Sequence, residues 1–392
     1  MFGSMKILFV PSDNNATSGA FLSMVKLGEI LKKQYDCEIC VLLHCNGNGE
    51  ALLDENHIPY KKIYSLNWFI PYKPRTFVRK VKRFLCNFWM PIAFLYNRVA
   101  VSRICRFIES EKFDLVHINT SCTYVGAVAA QKMKIPFVWH IREFLEEDQE
   151  RCIWKKENAY KLMAQSDRVI AISNSIYDKY KKCLDSPNII QIYNGIDDDL
   201  FYTGNHELFT DDKIHMVIVG SINESKGQNQ VIYACKALLD DGWTDFEVKI
   251  AGKESEYSSY LQKLTNEMGL SDYVKFVGPQ KDVAKLYKEA DITLMCSAAE
   301  AFGRVTVEAM MSGSLVIGAN SGGTLELIED ECTGLLYESG NIDDLACRIK
   351  YAVENKTKMR IIAKKGQEKM MTSMTATSNA SNIYELYKDV LK

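Results

Sequence analysis

The chain has 392 residues, 47% apolar and 25% charged, a globular composition in a length that exceeds what one core supports, so two domains are expected. Lys+Arg 48 against Asp+Glu 50 leaves a net charge of −2, which speaks against a chain-wide nucleic-acid footprint. The twelve cysteines are scattered from Cys37 to Cys347, mostly in apolar runs such as those around Cys235, Cys296 and Cys347, and no secretory leader precedes them, so reduced, buried thiols are expected. Cys37-Glu38-Ile39-Cys40 has CxxC spacing, but no second ligand pair follows at a matching distance, which disfavours a metal or redox role. Ile7-Leu8-Phe9-Val10 is too short for a signal core, and Met5-Lys6-Ile7-Leu8 has the form of a natural start. The longest near-apolar run, Cys86 to Tyr96, is interrupted by Asn87 and Pro91 and falls short of the ~20 residues of a membrane span. Secreted and membrane-spanning readings are therefore set aside for a cytoplasmic one.

Short β-rich runs alternate with helix-period segments, the pattern of a parallel sheet covered on both faces. The first half predicts strands at Met5–Val10, Glu38–Leu43, Leu115–Ile118, Phe137–His140, Arg168–Ile172 and Ile189–Tyr193. Its helices are expected at Ala20–Lys33, Val125–Lys132 and Ser175–Lys182. The second half restarts the pattern with strands at His215–Gly220, Glu247–Gly252, Val274–Gly278, Ile292–Cys296 and Leu315–Ile317. Between and after these come helices at Gln228–Leu239, Ser259–Met268, Val283–Lys288, Val305–Met311, Ile342–Val353, Lys358–Met371 and Ser381–Val390. The polar stretch Asn194–Lys213 separates the halves and is the best linker candidate. The expected division is 1–195, 196–375 and a C-terminal helix in 376–392 that packs back on the N-terminal domain. Doubly wound domains of this kind bind ligands beyond the C-terminal ends of their strands.

From Asn56 to Ile108 there is no acidic residue, while Lys61, Lys62, Lys73, Arg75, Arg79, Lys80, Lys82, Arg83, Arg98, Arg103 and Arg106 alternate with aromatics including Trp68, Phe77, Phe84, Phe88, Trp89 and Phe94. Three readings fit: a segment resting on an anionic membrane, a solvated helix whose aromatics pack on the core, or RNA binding through stacking and phosphate contacts. The near-neutral total charge hides this asymmetry.

The sharpest chemical signal is Glu300-Ala301-Phe302-Gly303-Arg304-Val305-Thr306-Val307-Glu308, two carboxylates flanking a glycine at a loop-to-helix junction. Free amides around Phe302 and Gly303 at that helix start suit a diphosphate. Glu308 would accept ribose hydroxyls and Glu300 would face the sugar end. An acidic first turn stabilised by the helix dipole is the plainer alternative. Gly322, Gly323 and Thr324 open a second helix and either touch phosphate or simply form a turn. Asp197-Asp198-Asp199 has the look of a metal motif but is better read as the acidic start of a helix. Gly47-Asn48-Gly49 lacks the third glycine of a dinucleotide fingerprint.

Taken together, Ser297-x-x-Glu300-x-Phe302-Gly303, Glu308-Ala309, Gly313-x-x-Val316-Ile317, Gly322-Gly323-x-x-Glu326-Leu327-Ile328 and Gly334 resemble the retaining, GT-B-fold glycosyltransferases of family GT4. Gly220 with Lys226-Gly227, Asn194-Gly195-Ile196-Asp197 with Phe201, and Ala290-Asp291-Ile292 extend the resemblance, which is clear over 165–340. In the first half Ser18-Gly19 and His140 are the main anchors. The resemblance implies an α/β fold of two Rossmann-like domains facing across a cleft, the C-terminal one holding a nucleoside-diphosphate sugar and the N-terminal one the acceptor, with no required metal or other cofactor. It implies that Glu300 touches the transferred sugar, Glu308 the ribose, and Lys226 the diphosphate. Gly19 would let the backbone approach the phosphates, and His140 would lie near the reacting carbon. A histidine merely satisfied at a strand end is the alternative for the last. Many family members carry Arg after the glycine at the Gly220 position, where this chain has Ser221, which offers no guanidinium fork. Arg304 is the expected replacement.

The expected function is transfer with retention from a nucleoside-diphosphate sugar, UDP preferred as the commoner donor, to a glycan or lipid-linked acceptor in surface polysaccharide, lipopolysaccharide or glycolipid assembly. The segment 56–108 would rest peripherally on the anionic inner membrane face. Nucleic acid is not expected as a partner. A nucleotide-sugar epimerase or phosphorylase of the same fold, or a non-catalytic sugar-nucleotide binder, are the competing readings.

Overall fold

The computed structural model describes residues 4–74, 76–202 and 204–392; Arg75 of the basic segment lies outside the described residues. The chain forms two compact units, Met1–Gly195 with Ala376–Lys392, and Ile196–Thr375.

In unit 1 the strands are β1 (Lys6–Val10), β2 (Glu38–Leu43), β3 (Tyr60–Lys62), β4 (Phe69–Pro71), β5 (Leu115–Ile118), β6 (Phe137–Ile141), β7 (Arg151–Ile153), β8 (Arg168–Ala171) and β9 (Ile189–Gln191). Between them run α1 (Gly19–Tyr35), α2 (Gly49–Glu55), α3 (Phe77–Glu111), α4 (Val125–Met133), α5 (Lys156–Ala164) and α6 (Asn174–Leu184). Seven strands form one parallel sheet in the order β3-β2-β1-β5-β6-β8-β9, and β4 pairs antiparallel with β7 outside it. Runs such as Ile7-Leu8-Phe9-Val10 are buried on both faces because helices cover both sides.

Unit 2 carries α7 (Asp198–Phe201), β10 (Ile214–Val219), a 3₁₀ turn at Glu224–Lys226, α8 (Gln228–Asp240), β11 (Phe246–Ala251), α9 (Glu256–Glu267), β12 (Val274–Gly278) and α10 (Val283–Lys288). It continues with β13 (Ile292–Met295), α11 (Arg304–Met311), β14 (Leu315–Ala319), α12 (Gly322–Leu327), β15 (Leu335–Tyr337), α13 (Ile342–Glu354) and α14 (Lys356–Ser373). Its six parallel strands lie in the order β12-β11-β10-β13-β14-β15. In both sheets the chain runs outward from its first strand, then returns to the other side of that strand. The loops leaving the first and fourth sheet strands therefore diverge and open a crevice at the strand C-termini.

The last helix, α15 (Ala376–Val390), belongs to unit 1. Ala376, Ala380, Ile383, Leu386 and Tyr387 face one way at helical spacing and share a core with Phe21, Met24 and Leu27 of α1. Tyr384 stacks on Tyr35 with ring centroids 4.3 Å apart.

Three expectations are corrected. The stretch Asn194–Lys213 is not a loose linker, because Ile196, Phe201, Leu208 and Phe209 are buried and Ile196 bridges to Thr375, so unit 2 begins and ends side by side. Cys183 and Cys347 are exposed, since each lies on the outward side of a helix. The apolar run at Cys86–Tyr96 is part of the 35-residue α3, which is long enough and apolar enough for a membrane span by length and composition. One side of α3 packs through Met90, Ala93, Asn97, Ala100, Val101, Ile104 and Ile108.

Gly227 joins the 3₁₀ turn to α8 with φ +71°, and a Cβ there would lie 2.2 Å from the Cys296 carbonyl oxygen. Gly227→Ala is expected to cost more than about 2 kcal/mol, from the left-handed backbone and the clash together. A denaturant midpoint unchanged from wild type would contradict this packing.

Candidate active site

The crevice of unit 2 lies between the end of β10 and the end of β13. Ala298 N–H donates to the Ser225 carbonyl at 3.2 Å, so the two loops are tied together there. Across this junction Lys226 Nζ donates to Glu300 Oε1 at 2.7 Å, with only 22% and 16% of the two side chains exposed. The lysine and the glutamate singled out from sequence therefore meet each other. Gly220 follows β10 at φ +144°, and Ser221 is exposed with its carbonyl accepting from Gln228 Nε2.

Behind Glu300, Gly322 and Gly323 act as packing residues. The Gly323 amide donates to the Glu300 carbonyl at 2.8 Å, and a Cβ on Gly323 would sit 2.4 Å from the Phe302 carbonyl. Their role is to let α12 press against the Glu300–Phe302 loop, which favours the turn reading of these glycines over a phosphate contact. Phe302 is buried, and Gly303 at φ +91° starts α11. Arg304 Nη2 donates to Glu308 Oε1 at 3.1 Å one turn along that helix, and the Tyr287 hydroxyl donates to Glu308 Oε2 at 3.3 Å. Burial, and then the Glu308 carboxylate, push the Tyr287 phenol up, so it remains a donor. Asp197 precedes α7 as its cap residue, and Asp198 and Asp199 occupy the first turn. Among the described residues, no group of three or more His, Cys, Asp or Glu side chains is arranged to hold a metal ion. Burial pushes the Cys37 and Cys40 thiols up to about 11, the wrong direction for a reactive or ligating thiolate.

In unit 1, Ser18 precedes α1 and its hydroxyl donates to Asp13 Oδ2 at 3.0 Å, fixing the loop that leads into Gly19. Asp13 is raised from the ordinary carboxylate value, mainly by burial. His140, the last residue but one of β6, is fully buried. Its Nδ1 lies 3.2 Å from Arg142 Nη2 and 3.1 Å from His117 Nε2, while His117 Nδ1 lies 2.5 Å from the Tyr387 hydroxyl. Arg142 can only donate, so His140 Nδ1 accepts. One donor order satisfies all three contacts: the Tyr387 hydroxyl donates to His117 Nδ1, and His117 Nε2–H donates to His140 Nδ1. The proton of His140 then sits on Nε2, a buried atom with no hydrogen-bond partner among the described residues. Burial first, and then the Arg142 charge, hold both imidazoles well below the usual histidine value. His140 is thus a neutral N–H donor. Arg142 also donates to Asn119 Oδ1 at 2.8 Å and to Asn194 Oδ1 at 2.6 Å, and Asn119 Nδ2 donates to the Ala20 carbonyl in the first turn of α1. His117, Arg142, Asp13 and Tyr387 were not singled out from sequence. Arg142 had a signal, as a cation two residues past His140 at a strand end, whereas Tyr387 had none.

The structure is thus two doubly wound α/β units, the second with a cation–carboxylate pair at its crevice beside a helix N-terminus. Profile matches assign the family: residues 205–369 match "Glycosyl transferases group 1" and residues 27–200 match "Glycosyltransferase Family 4". The chain belongs to this GT4-type family of glycosyltransferases and is an enzyme of it. It is 23% identical over 312 residues to the N-acetyl-alpha-D-glucosaminyl L-malate synthase of Bacillus anthracis, covering 76% of this chain and 80% of that protein. Among solved structures, Anabaena HepE in complex with UDP and glucose superposes with a TM-score of 0.78 at 22% identity, covering 98% of this chain and 100% of that one. A glycosyltransferase from Rickettsia africae gives 0.82 at 19% identity, with complete coverage of both chains. These likenesses establish the GT-B fold.

Two outcomes are expected here. Tyr387→Phe leaves His117 Nδ1 buried without its donor, which costs about 1–3 kcal/mol and lowers the urea midpoint. The second concerns pH. Burial holds His44 at about 4 against an ordinary 6.5, and His117 and His140 are also well below 6.5. Below that value the unfolded chain takes up protons that the folded chain does not. Stability is therefore fully present above about pH 6.5 and is lost on acidification, by about 1.4 kcal/mol per pH unit for each such histidine. A urea midpoint that stays level or rises from pH 6.5 to 5 would contradict the buried neutral histidines.

Proposed function

We propose that the protein transfers a sugar, with retention of configuration, from a UDP-sugar to a lipid-linked glycan acceptor during assembly of a surface polysaccharide, lipopolysaccharide or glycolipid. The observation that carries the donor half is the Lys226–Glu300 pair beside the start of α11. A diphosphate entering the crevice draws Lys226 away from Glu300, as a compact cation suited to a leaving phosphate. Glu300, released from its partner, accepts the hydroxyls of the transferred sugar. The amides at the start of α11 face the same anion, and Glu308 holds the ribose. The choice of UDP is supported by HepE, which was crystallised with UDP and with UDP-glucose. Catalysis on this reading is positional and electrostatic. Lys226 stabilises the departing diphosphate, and the unpartnered Nε2–H of His140 is a neutral donor for an oxygen of the reacting sugar. Gly19, at the start of α1, leaves backbone open to the reactants. No cofactor and no metal enters this mechanism.

The acceptor half rests on α3. Phe77, Val78, Phe84, Leu85, Phe88, Trp89, Ile92, Leu95 and Val99 are exposed on the side of α3 opposite its packed face, with Phe77 at 80% and Phe88 at 76%. A soluble helix ordinarily turns its apolar stripe inward. Here an outward apolar stripe with Lys80, Lys82, Arg103 and Arg106 around it supports peripheral contact of 56–108 with the anionic inner face of the cell membrane. The protein would then be cytoplasmic with one face on the bilayer, where lipid-linked acceptors reside.

Turnover of UDP-sugars against GDP- and ADP-sugars, with lipid-linked acceptors, tests the reaction. Product of the donor's own anomeric configuration is expected. Conversion of the donor without any acceptor would overturn the transferase reading in favour of an epimerase. Arg304→Ala is expected to weaken donor binding by about tenfold, or ~1.4 kcal/mol, if its guanidinium takes the place left by Ser221; unchanged affinity would end that assignment. In flotation, binding to vesicles containing anionic lipid is expected, and the double variant Phe88→Ser with Trp89→Ser should lose most of it. Failure to float with either anionic or neutral vesicles would remove the membrane contact.

A further inference from the structure

Away from Gly19 and His140, unit 1 has an open cavity of about 420 Å³ between α3, α4 and α5. That is the size range of small-molecule sites. Its wall is a run of aromatic rings, two pairs stacked and one tilted. Trp68 and Tyr124 lie 4.8 Å apart, Phe94 and Tyr124 4.7 Å, and Phe94 and Trp154 5.2 Å between centroids. The polar groups of this wall are satisfied within the protein. Trp68 Nε1 donates to the Ser121 carbonyl, Trp154 Nε1 to Asn87 Oδ1, and Asn97 Nδ2 to the Leu66 carbonyl and the Tyr124 hydroxyl. What remains unmatched is charge. Arg98, Lys132 and Lys155 line the cavity, no lining residue is acidic, and among the described residues none of the three has an ion-pair partner. Lys155 instead stands over the Trp154 ring at 4.6 Å, on a backbone held at φ +51°.

An aromatic wall beneath three unpaired cations matches a molecule with an apolar body and an anionic head. The cavity also opens beside the exposed stripe of α3. Phe94 and Arg98 line it, and Leu95, Tyr96 and Val99, on the same turns, are exposed. We propose that this cavity binds the phosphate end of an anionic membrane lipid. The phosphate would lie among Arg98, Lys132 and Lys155, and the first methylenes of its chain would lie on Trp154 and Phe94. The inference deepens the reading of α3 as the membrane-facing helix and rests on it. It assigns a pocket and three cations that the transfer reaction does not use. Three charge-assisted contacts to one phosphate give the selectivity for an anionic head, and the ring wall gives selectivity for an attached chain over free phosphate.

The test uses the full chain and a short-chain lipid below its micelle concentration, read by tryptophan fluorescence. Dihexanoyl phosphatidylglycerol is expected to saturate the signal at least about tenfold more tightly than dihexanoyl phosphatidylcholine, and inorganic phosphate to compete only weakly. The double variant Arg98→Ala with Lys132→Ala, whose side chains are exposed, should keep its circular dichroism and lose at least about tenfold in affinity. The Phe88→Ser, Trp89→Ser variant should lose vesicle flotation yet still bind the soluble lipid, which separates the pocket from the outer face. No saturable response to the anionic lipid overturns the site, even if flotation succeeds. Equal affinity for inorganic phosphate, indifference to the Arg98/Lys132 change, or tighter competition by a single-stranded oligonucleotide each overturns it as well. Saturable lipid binding without flotation would keep the pocket and remove the membrane-facing role of α3.

Discussion

The contact on which the candidate site depends is the ion pair between Lys226 and Glu300. The two residues are 74 positions apart, and the sheet order alone brings them together. A parallel sheet that winds outward from its first strand and then returns must leave a crevice between its first and fourth strands. The loop after β10 supplies the cation and the loop after β13 the carboxylate. Gly227 and Gly323 are the sequence consequences of this closeness. Each lies where a Cβ would strike a backbone carbonyl of the neighbouring strand end or loop, at Cys296 and Phe302 respectively. A partly buried pair of this kind is weak evidence for stability, since both charges lose water. It is better understood as charge held ready for a ligand that can compete for one partner.

Unit 1 meets the opposite problem, a buried cation and two buried imidazoles without an obvious role in acid–base chemistry. Arg142 is fixed by two asparagine oxygens and by His140, and burial, with the Arg142 charge adding to it, keeps both histidines neutral. The chain Tyr387–His117–His140 then settles which nitrogen carries the proton. Because Tyr387 stands on α15, the last helix of the polypeptide sets the tautomer of a residue at the end of β6. Packing of the C-terminal helix on α1 and the presentation of one N–H are thus parts of the same arrangement.

Much of the fold was legible in the sequence, for a physical reason. Glu38–Leu43, Leu115–Ile118 and Val274–Gly278 match the predicted strands residue for residue, since apolar β-branched runs bounded by turn residues leave little choice of register. The three-residue strands β4, β7 and β15 carry too few side chains for any periodicity. α3 escaped because its apolar residues occupy both faces, which erases the 3.6-residue rhythm, and because Pro91 argues for a break within it. At the site, Glu300, Glu308 and Lys226 were legible from their motif. Their partners within the protein were not: the contact of Arg304 with Glu308 is seen only in the structure. The link between His117 and Tyr387 spans 270 positions and leaves no trace in local pattern.

The account's central claim is that a diphosphate takes Lys226 from Glu300. Calorimetric titration of UDP into the wild type, Lys226→Ala and Glu300→Gln tests it most directly. The account predicts that Lys226→Ala weakens UDP by at least about tenfold, and that Glu300→Gln, which removes the competing carboxylate, binds UDP at least as tightly as the wild type while losing sugar transfer. UDP binding unchanged in Lys226→Ala, or lost in Glu300→Gln, would contradict it.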